Sequence, residues 1–443
     1  MDERQFGTLP SKTVFIKFVV PSILSMVFSS IYMIVDGIFV GNLIGSDALA
    51  AVNLVMPAVS IIMAISNMIA VGSSVKVSIA LGEKNFDKAN KIFSTSLFAI
   101  FLTALGFMII MLFFTDNILN FIIKDKNLMN IAREYITVFI VFFPICMPLF
   151  AMDNFTRACG KAKYNMYINI GVSVFNIFLD WLFLVVLHGG MKEAALASCI
   201  SMSIGVVFMF IPFIMKKNTL RFSKPNLSFK EFLGILYLGF SDFFNSTANS
   251  IIAIVVNALL LSYGGGNGVA AYAIMMYISG ILFSVIYGMA DSMTPAISYN
   301  VGAKNMAKTK EFYGICIKFA ITVSLVLILV LQLFPEQIAR LFVKDNNMEV
   351  IRIAIMAIRL MSIMYIFAAM CIVINAFLVA FDMARESIII MALNSIVFPL
   401  SIVFIAAKQF GLNGIYATSS ISSFLAFIVS IIIWKRVKKD KFI

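Results

Sequence analysis

The sequence contains little charge. Asp, Glu, Lys and Arg together make up 13% of its 443 residues, whereas about 25% is usual for soluble domains. Hydrophobic residues make up 61% of the chain. So little polar material cannot cover a water-soluble core of this size. The composition therefore excludes an ordinary soluble protein and favours one embedded in lipid.

The sequence also has few residues suited to catalysis or metal binding. His188 is the single histidine, and the five cysteines lie apart with no C-x-x-C spacing. These residues form no disulfide framework, structural metal motif or nucleophile–base pair. We therefore predict that the protein is not an enzyme and needs no cofactor. The N-terminus lacks the features of a cleaved signal peptide, so the first apolar run is expected to be retained as a helix.

Long apolar runs recur along the whole chain, and each is long enough to cross a bilayer as a helix. They lie at 14–40, 48–79, 92–115, 129–156, 162–187, 193–215, 232–262, 269–299, 312–334, 350–380, 386–407 and 411–434. The runs do not alternate with a period of two, which favours helices over a barrel. The sequence thus predicts an all-α integral membrane protein with twelve transmembrane helices.

The net charge of +12 comes mainly from Lys and Arg in alternate loops. This bias predicts that both termini are cytoplasmic, because positive residues are retained on the inner side of the membrane. The positive charge therefore reports orientation in a lipid bilayer, and we expect no nucleic-acid partner.

A loop motif occurs twice, 220 residues apart. SIALGEKNFDK at 78–88 and SYNVGAKNMAK at 298–308 both fit S-x-x-x-G-x-K-N-x-x-K. The repeat predicts an N-terminal six-helix lobe (1–215), a cytoplasmic linker (216–230) and a C-terminal six-helix lobe (231–443). Six is an even number, so both lobes have the same topology. This is the parallel-repeat arrangement of transporters, in which two halves rock about a central substrate site.

Two aspartates lie inside apolar runs of the first half, where a carboxylate costs about 2.5–3.5 kcal/mol on insertion scales. Tyr32 precedes Asp36 by four residues, and Asn176 precedes Asp180 by four, so each pair shares a helix face. The repeat places no acid opposite either aspartate in the second half. One interpretation is a structural polar contact between helices. The other is a proton site or a sodium site, since carboxylate and amide oxygens suit Na⁺.

Five short sequences together resemble the MATE (multidrug and toxic compound extrusion) transporters, bacterial type, over essentially the full length. They are PSIL at 21–24, the Y-x-x-x-D-x-x-F-V-G run at 32–41, RACGKAK at 157–163, NIFLD at 176–180 and PAISYNVGAKN at 295–305. The resemblance implies two six-helix bundles forming a V-shaped cleft. It implies export of organic, often cationic and aromatic compounds by antiport, with protons or sodium ions flowing inward.

The resemblance also implies roles for individual residues. The ion-coupling residues would be Tyr32, Asp36, Asn176, Asp180 and Ser198, with any Na⁺ held at Asp36, Asn176 and Asp180. Pro21 matches a proline that bends the first helix. The acid that some members carry deep in the seventh segment is not evident here, which argues against a second-half sodium site.

A group of methionine and aromatic residues in the eighth apolar run suits a promiscuous substrate surface. We expect Met275, Tyr277, Phe283 and Tyr287 to line the cleft and to attract organic cations through their ring faces.

These observations together predict a multidrug efflux antiporter with a role in antibiotic resistance. We expect it to act as a monomer in the bacterial plasma membrane on small organic cations, by alternating access. The alternative is a flippase for a lipid-linked precursor of a related fold, although membrane-embedded basic residues that would hold a pyrophosphate are scarce. A passive channel is disfavoured by the repeat.

Overall fold

The computed structural model describes residues 3–123, 125–343 and 347–442. Throughout this part of the chain the regular structure is helical. The α-helices are α1 (Gln5–Thr8), α2 (Ser11–Phe39), α3 (Ser46–Gly82), α4 (Phe86–Ile122), α5 (Lys126–Cys146), α6 (Pro148–Ala158), α7 (Ala162–Asp180), α8 (Met191–Ile214), α9 (Phe229–Gly302), α10 (Met306–Leu333), α11 (Pro335–Phe342), α12 (Met348–Ser362), α13 (Met364–Ala380), α14 (Ala384–Ala392) and α15 (Phe398–Phe442). Three π-helical turns extend or join them, at Val40–Ile44, Trp181–Val186 and Leu393–Val397.

Ten helical stretches among the described residues are long and apolar enough to cross a membrane. Two of them, Phe229–Gly302 and Ala384–Lys439, are much longer than one crossing needs. Each contains a glycine with a φ of 56°, Gly265 in the first and Gly411 in the second. An α-helix needs a φ near −63°, so a φ of 56° interrupts the helix at each glycine. Each glycine therefore separates two spans. The described residues therefore form twelve spanning segments, divided where the apolar runs are interrupted in the sequence.

The sequence repeat is also visible in the backbone. Gly45 and Gly265, 220 residues apart, both have positive φ values, of 124° and 56°. Lys84 and Lys304, in the two copies of the loop motif, have φ values of 59° and 55°. A non-glycine residue in this region is uncommon. The two copies of the motif thus form the same turn after equivalent helices.

The chain divides into two compact units. The first consists of the described part of 1–243 together with Ser298–Asn305. Its core includes Phe93, whose ring stacks on Phe213 and meets Phe155 edge to face. The non-helical linker runs back over α4, where the Arg221 and Ser223 amides donate to side chains of that helix. These contacts fix the linker to the first unit.

The N-terminal segment is also part of the first unit. Phe6 is fully buried, and its ring lies 4.8 Å from the ring of Phe18 and 5.9 Å from that of Tyr299. The Asn300 side chain donates to the Phe6 carbonyl oxygen at 3.0 Å. The short polar start of the chain is therefore packed in place, by a ring that the sequence does not mark as core.

The second compact unit consists of Phe244–Ile297 and the described part of 306–443. In it α13 packs along α15, and Tyr365 and Tyr416 are among its largest fully buried side chains. Each tyrosine hydroxyl has a partner: Ser279 for Tyr365, and the Gly268 carbonyl oxygen for Tyr416. A buried tyrosine needs such a partner for its hydroxyl. The pairs therefore fix α9 against α13 and α15.

Candidate functional site

Helices α2 and α7 pack extensively against each other within the first unit. Tyr32 and Asp36 lie on α2, four residues apart and therefore on one face. Both side chains are partly buried. Pro21 lies about four helical turns before Asp36, and it is buried. It cannot donate a backbone hydrogen bond to the Lys17 carbonyl, which weakens the helix at that point.

Asn176 and Asp180 lie in the last turn of α7, and they are 2% and 0% exposed respectively. In the orientation that satisfies both ends of the amide, Asn176 Nδ2 donates to Asp180 Oδ2 at 3.2 Å. Asn176 Oδ1 then accepts from the Ser198 backbone N–H at 3.3 Å and from its hydroxyl at 3.2 Å. The amide thus joins the aspartate on α7 to the serine on α8.

The Asp36 and Asp180 carboxyl groups lie within hydrogen-bonding reach of each other. Asp180 Oδ1 is buried and has no hydrogen-bond donor. Two ionised carboxylates are both acceptors and repel each other, so contact between them requires a shared proton or a cation. The geometry therefore makes the pair suited to binding one of these.

The oxygen atoms around the pair suit a hard cation as well as a proton. Two carboxylates come from α2 and α7, and turning the Asn176 amide over would direct its oxygen atom towards Asp180 while its nitrogen atom donates to the Ser198 hydroxyl on α8. Oxygen donors of these kinds are the ligands that Na⁺ prefers. Among the described residues, no three His, Cys, Asp or Glu side chains gather as they would around a transition metal. The carboxyl and amide oxygens therefore suit a proton or an alkali-metal ion.

Tyr135 on α5 also belongs to this group, although its position in the sequence does not mark it. Its side chain is 4% exposed and is close enough to interact with Asp36, Asp180 and Tyr32. Its hydroxyl contacts Met56 Sδ at 3.8 Å. The signal in the sequence is weak, because a tyrosine in an apolar helix is most often a packing residue.

π-helical turns follow both aspartates. Val40–Ile44 begins four residues after Asp36, and Trp181–Val186 begins directly after Asp180. A π-helical turn widens the helix locally and leaves its hydrogen-bond ladder out of register, and such turns often occur at functional sites. Both helices therefore depart from regular α geometry next to the carboxyl pair.

The remaining polar residues of α7 form a separate network. Asn169 donates to Asp153 Oδ1 and to Asn165 Oδ1, each at 2.7 Å, and Asp153 forms an ion pair with Arg157. Asn165 donates in turn to the Asp153 backbone carbonyl at 3.1 Å. The polar stripe of α7 thus serves two sites, with the coupling candidates at its C-terminal end only.

The second unit contains a cavity of about 330 Å³ between α9, α12, α13 and α15. Of the four residues predicted to line a substrate surface, Phe283 lines this cavity. Met275 is fully buried in packing, and Tyr277 is 54% exposed with its ring stacked on Phe342. Tyr287 instead accepts a hydrogen bond from Asn245 at 3.2 Å. The structure therefore does not bring the four side chains to one surface of this cavity.

Known proteins resemble the chain over nearly its whole length. A sequence model of the MatE family matches residues 21–182 and 243–407. A protein of Staphylococcus haemolyticus named multidrug export protein MepA is 26% identical over 438 residues, covering 96% of this chain and 94% of the relative. The proteins of the same name from Staphylococcus saprophyticus and Staphylococcus aureus (strain MSSA476) are 23% and 24% identical.

Solved structures share the fold. A MATE protein crystallised in complex with MaL6 has a TM-score of 0.94 at 23% identity, covering 100% of this chain and 99% of that one. The outward-facing conformation of a multidrug resistance MATE family transporter has a TM-score of 0.93 with the same coverage. This likeness confirms the predicted all-α membrane fold with twelve transmembrane helices.

Proposed function

The chain belongs to the MatE family, and on that premise we propose that it is a secondary active antiporter that exports small organic compounds in exchange for protons or sodium ions. Proteins of this family are transporters and not enzymes, and the relatives above are named multidrug export proteins. By analogy with those names, the proposed cargo is a set of drugs, cationic and aromatic compounds among them.

The contact between Asp36 and Asp180 is the observation that supports coupling of export to a proton or Na⁺. Two carboxyl groups in membrane-spanning helices are costly to maintain, and residues of this kind mark ion and proton pathways. Their contact favours the state in which a proton or Na⁺ lies between them. Tyr32, Asn176 and Ser198 are proposed to hold the pair in position, and Tyr135 to close the site from α5.

A transport cycle follows from the charge change at this pair. When the outward-open protein takes up a proton or Na⁺ there, the two carboxyl groups approach and α2 shifts against α7. This change disfavours retention of the bound compound, which leaves to the outside. Return to the inward-open state releases the ion into the cytoplasm. Coupling requires that the ion and the drug favour different states.

Pro21 is proposed to let α2 bend during this shift. The residue interrupts the hydrogen-bond ladder of an otherwise continuous helix. Bending at this point would move the half of α2 that carries Tyr32 and Asp36 without unfolding the rest.

The proposal assigns the ion site to the first sequence half (1–215) and substrate contacts to the second (231–443), joined by the linker 216–230. Met275, Tyr277, Phe283 and Tyr287 stay the predicted contacts of the cleft. We place the protein, as a monomer, in a bacterial plasma membrane with both termini in the cytoplasm, as the distribution of Lys and Arg indicates.

The test is efflux of the fluorescent cation ethidium from proteoliposomes, with a proton or a sodium gradient imposed separately. Wild type is compared with Asp36→Asn and Asp180→Asn. Asp87→Asn is the matched control, because it makes the same chemical change at an exposed residue outside the carboxyl pair.

We expect one gradient to drive efflux by wild type and by Asp87→Asn, and neither gradient to drive efflux by Asp36→Asn or Asp180→Asn. The effective gradient identifies the coupling ion. If Asp36→Asn and Asp180→Asn respond as wild type does, the pair is structural and the proposed coupling site is wrong. Efflux that is independent of both gradients would exclude antiport.

A further inference from the structure

The short helix α11 (Pro335–Phe342) follows the spanning helix α10, with Phe334 alone between them. The apolar run of α10, residues 312–334, is about 34 Å long at 1.5 Å per residue, slightly more than the about 30 Å of a bilayer core. Lys318 lies within the first two turns of this run, so its ammonium group can extend back to the cytoplasmic boundary. The other end of the run therefore lies at the opposite boundary, where α11 begins.

A proline turns the chain at this boundary. Phe334 has φ −123° and ψ 38°, far from the helical values, because a residue that precedes proline is kept out of the helical region. The repeat provides the comparison: FFTDNILNFI at 113–122 corresponds to LFPEQIARLF at 333–342, with Thr115 in place of Pro335. Helix α4 continues unbroken to Ile122. Only in the second half is this segment separated from its span.

Exposed apolar side chains lead along α10 to its end. Val326, Leu329 and Leu333 lie three and four residues apart, on one face of the helix, and each is more than half exposed. A spanning helix with an apolar exposed face contacts acyl chains along that face. The lipid contact of α10 therefore extends to Leu333, two residues before α11 begins.

Helix α11 has a charged face and an apolar one. Glu336 and Arg340 are four residues apart and form an ion pair at 2.8 Å, with both side chains about half exposed. Leu341 is five residues after Glu336, which at about 100° per residue places it about 140° around the helix. It is 82% exposed. The two faces thus suit a boundary between water and an apolar phase.

The helix is held to the second unit on its remaining side. Pro335 and Ala339 are buried, and α11 packs against α12. The Phe342 ring stacks on Tyr277 of α9, with centroids 6.1 Å apart and planes at 9°. Tyrosine is enriched at the level where membrane and water meet. These contacts fix the depth of α11 and leave Leu341 exposed.

We propose that α11 lies in the surface of the membrane and that its partner is the lipid bilayer. Leu341 inserts among the acyl chains beside Leu333, and Glu336 and Arg340 stay at the level of the headgroups and water, as in other interfacial helices. The distribution of Lys and Arg places this surface on the outer side. The lipid contact is independent of the ion that drives export, so a failure of gradient-driven efflux would leave it standing.

A nitroxide spin label on one introduced cysteine reports what surrounds each face. The variants are Leu341→Cys, Glu336→Cys and, as a reference within the bilayer, Val326→Cys. All five native cysteines are buried and free, so wild type treated with the same reagent controls for labelling elsewhere. Loss of the exposed ion pair in Glu336→Cys should have little effect on folding.

The labelled full-length protein is placed in vesicles of phosphatidylethanolamine and phosphatidylglycerol. Power saturation then measures collisions of the label with oxygen, which concentrates among acyl chains, and with a nickel chelate that stays in water. We expect the ratio of oxygen to nickel collisions at Leu341 to be several-fold higher than at Glu336. It should be lower than at Val326, because α11 lies nearer the surface.

Two other results would overturn the proposal. Equal ratios at Leu341 and Glu336 would place both faces of α11 in water. Few collisions with either reagent at Leu341 would show that protein covers this face, as it would in a dimer of this chain.

Discussion

The two glycines of the repeated loop motif make a reciprocal contact that can be tested by adding one methyl group. Gly82 ends α3 and Gly302 ends α9, and both belong to the first compact unit. A Cβ at Gly82 would overlap the Tyr299 carbonyl oxygen and lie 2.9 Å from the Ala303 nitrogen. A Cβ at Gly302 would overlap the Ile79 carbonyl oxygen and lie 2.8 Å from its carbonyl carbon. Ile79 and Tyr299 are themselves equivalent positions of the repeat.

The size of the effect follows from what the methyl group would meet. Ordinary Cβ contacts begin at 3.4 Å, and here the obstructing atoms are backbone, which cannot rotate away as a side chain would. Overpacking of a well-packed site costs about 1–3 kcal/mol, and the rigid neighbours place Gly82→Ala and Gly302→Ala at the upper end. Because both changes separate the same two helix ends, the double variant should lose less than the sum of the single losses.

Two other glycines serve as matched controls, because alanine at those positions should stabilise the protein and not destabilise it. Gly106 in α4 and Gly314 in α10 are glycines inside helices with no atom within 4 Å of an added Cβ. Alanine at either position meets open space and restricts the unfolded chain, so it should stabilise the protein by about 0.5–1 kcal/mol. Crowding and helix propensity therefore predict opposite results for the same chemical change.

Thermal unfolding in detergent measures these differences. All five cysteines are buried and free, so a thiol-reactive fluorophore reports exposure of the core directly. Gly82→Ala and Gly302→Ala should unfold several degrees below wild type, and Gly106→Ala and Gly314→Ala at or slightly above it. Unfolding of all four variants at the wild-type temperature would show that the helix ends tolerate a wider separation, and the reasoning from close packing would be refuted.

Two further predictions concern buried residues of the first unit. Phe6→Ala should lower the free energy of unfolding by about 3–5 kcal/mol, as for other buried phenylalanines. The control Phe113→Ala changes a residue that is 79% exposed, so it should have little effect. Equal effects of the two variants on the unfolding temperature would refute the packing of the N-terminal segment. Burial raises the pKa of the Cys159 thiol, which lies between two spanning segments, from 9.0 to about 12. Between these pH values the unfolded chain loses this proton and the folded protein keeps it, so stability should fall as the pH rises from 9 towards 12. The fall in unfolding temperature, followed by tryptophan fluorescence, should be smaller in Cys159→Ala, and an identical fall in both proteins would contradict the assignment.

Part of the candidate ion site can be predicted from the sequence. The i, i+4 spacing paired Tyr32 with Asp36 and Asn176 with Asp180, and the family resemblance added Ser198. By its spacing Asn169 lies on the same face of α7 as Asn176 and Asp180, but the structure turns its side chain towards Asp153. Tyr135 was missed, because its relation to the carboxyl groups exists only across the packed helices.

The sequence by itself determined the membrane class, the twelve spans and the repeat, because each depends on properties summed along one segment. The hydropathy of about 20 consecutive residues decides whether a segment inserts into the membrane as a helix, independently of the neighbouring helices. Tertiary structure alone decided that Asp36 meets Asp180 and that Gly82 and Gly302 each meet the backbone of the other copy of the repeat. Contacts of this kind depend on how each helix is rotated about its axis and packed against its neighbours. The residue pattern of one helix does not determine that rotation.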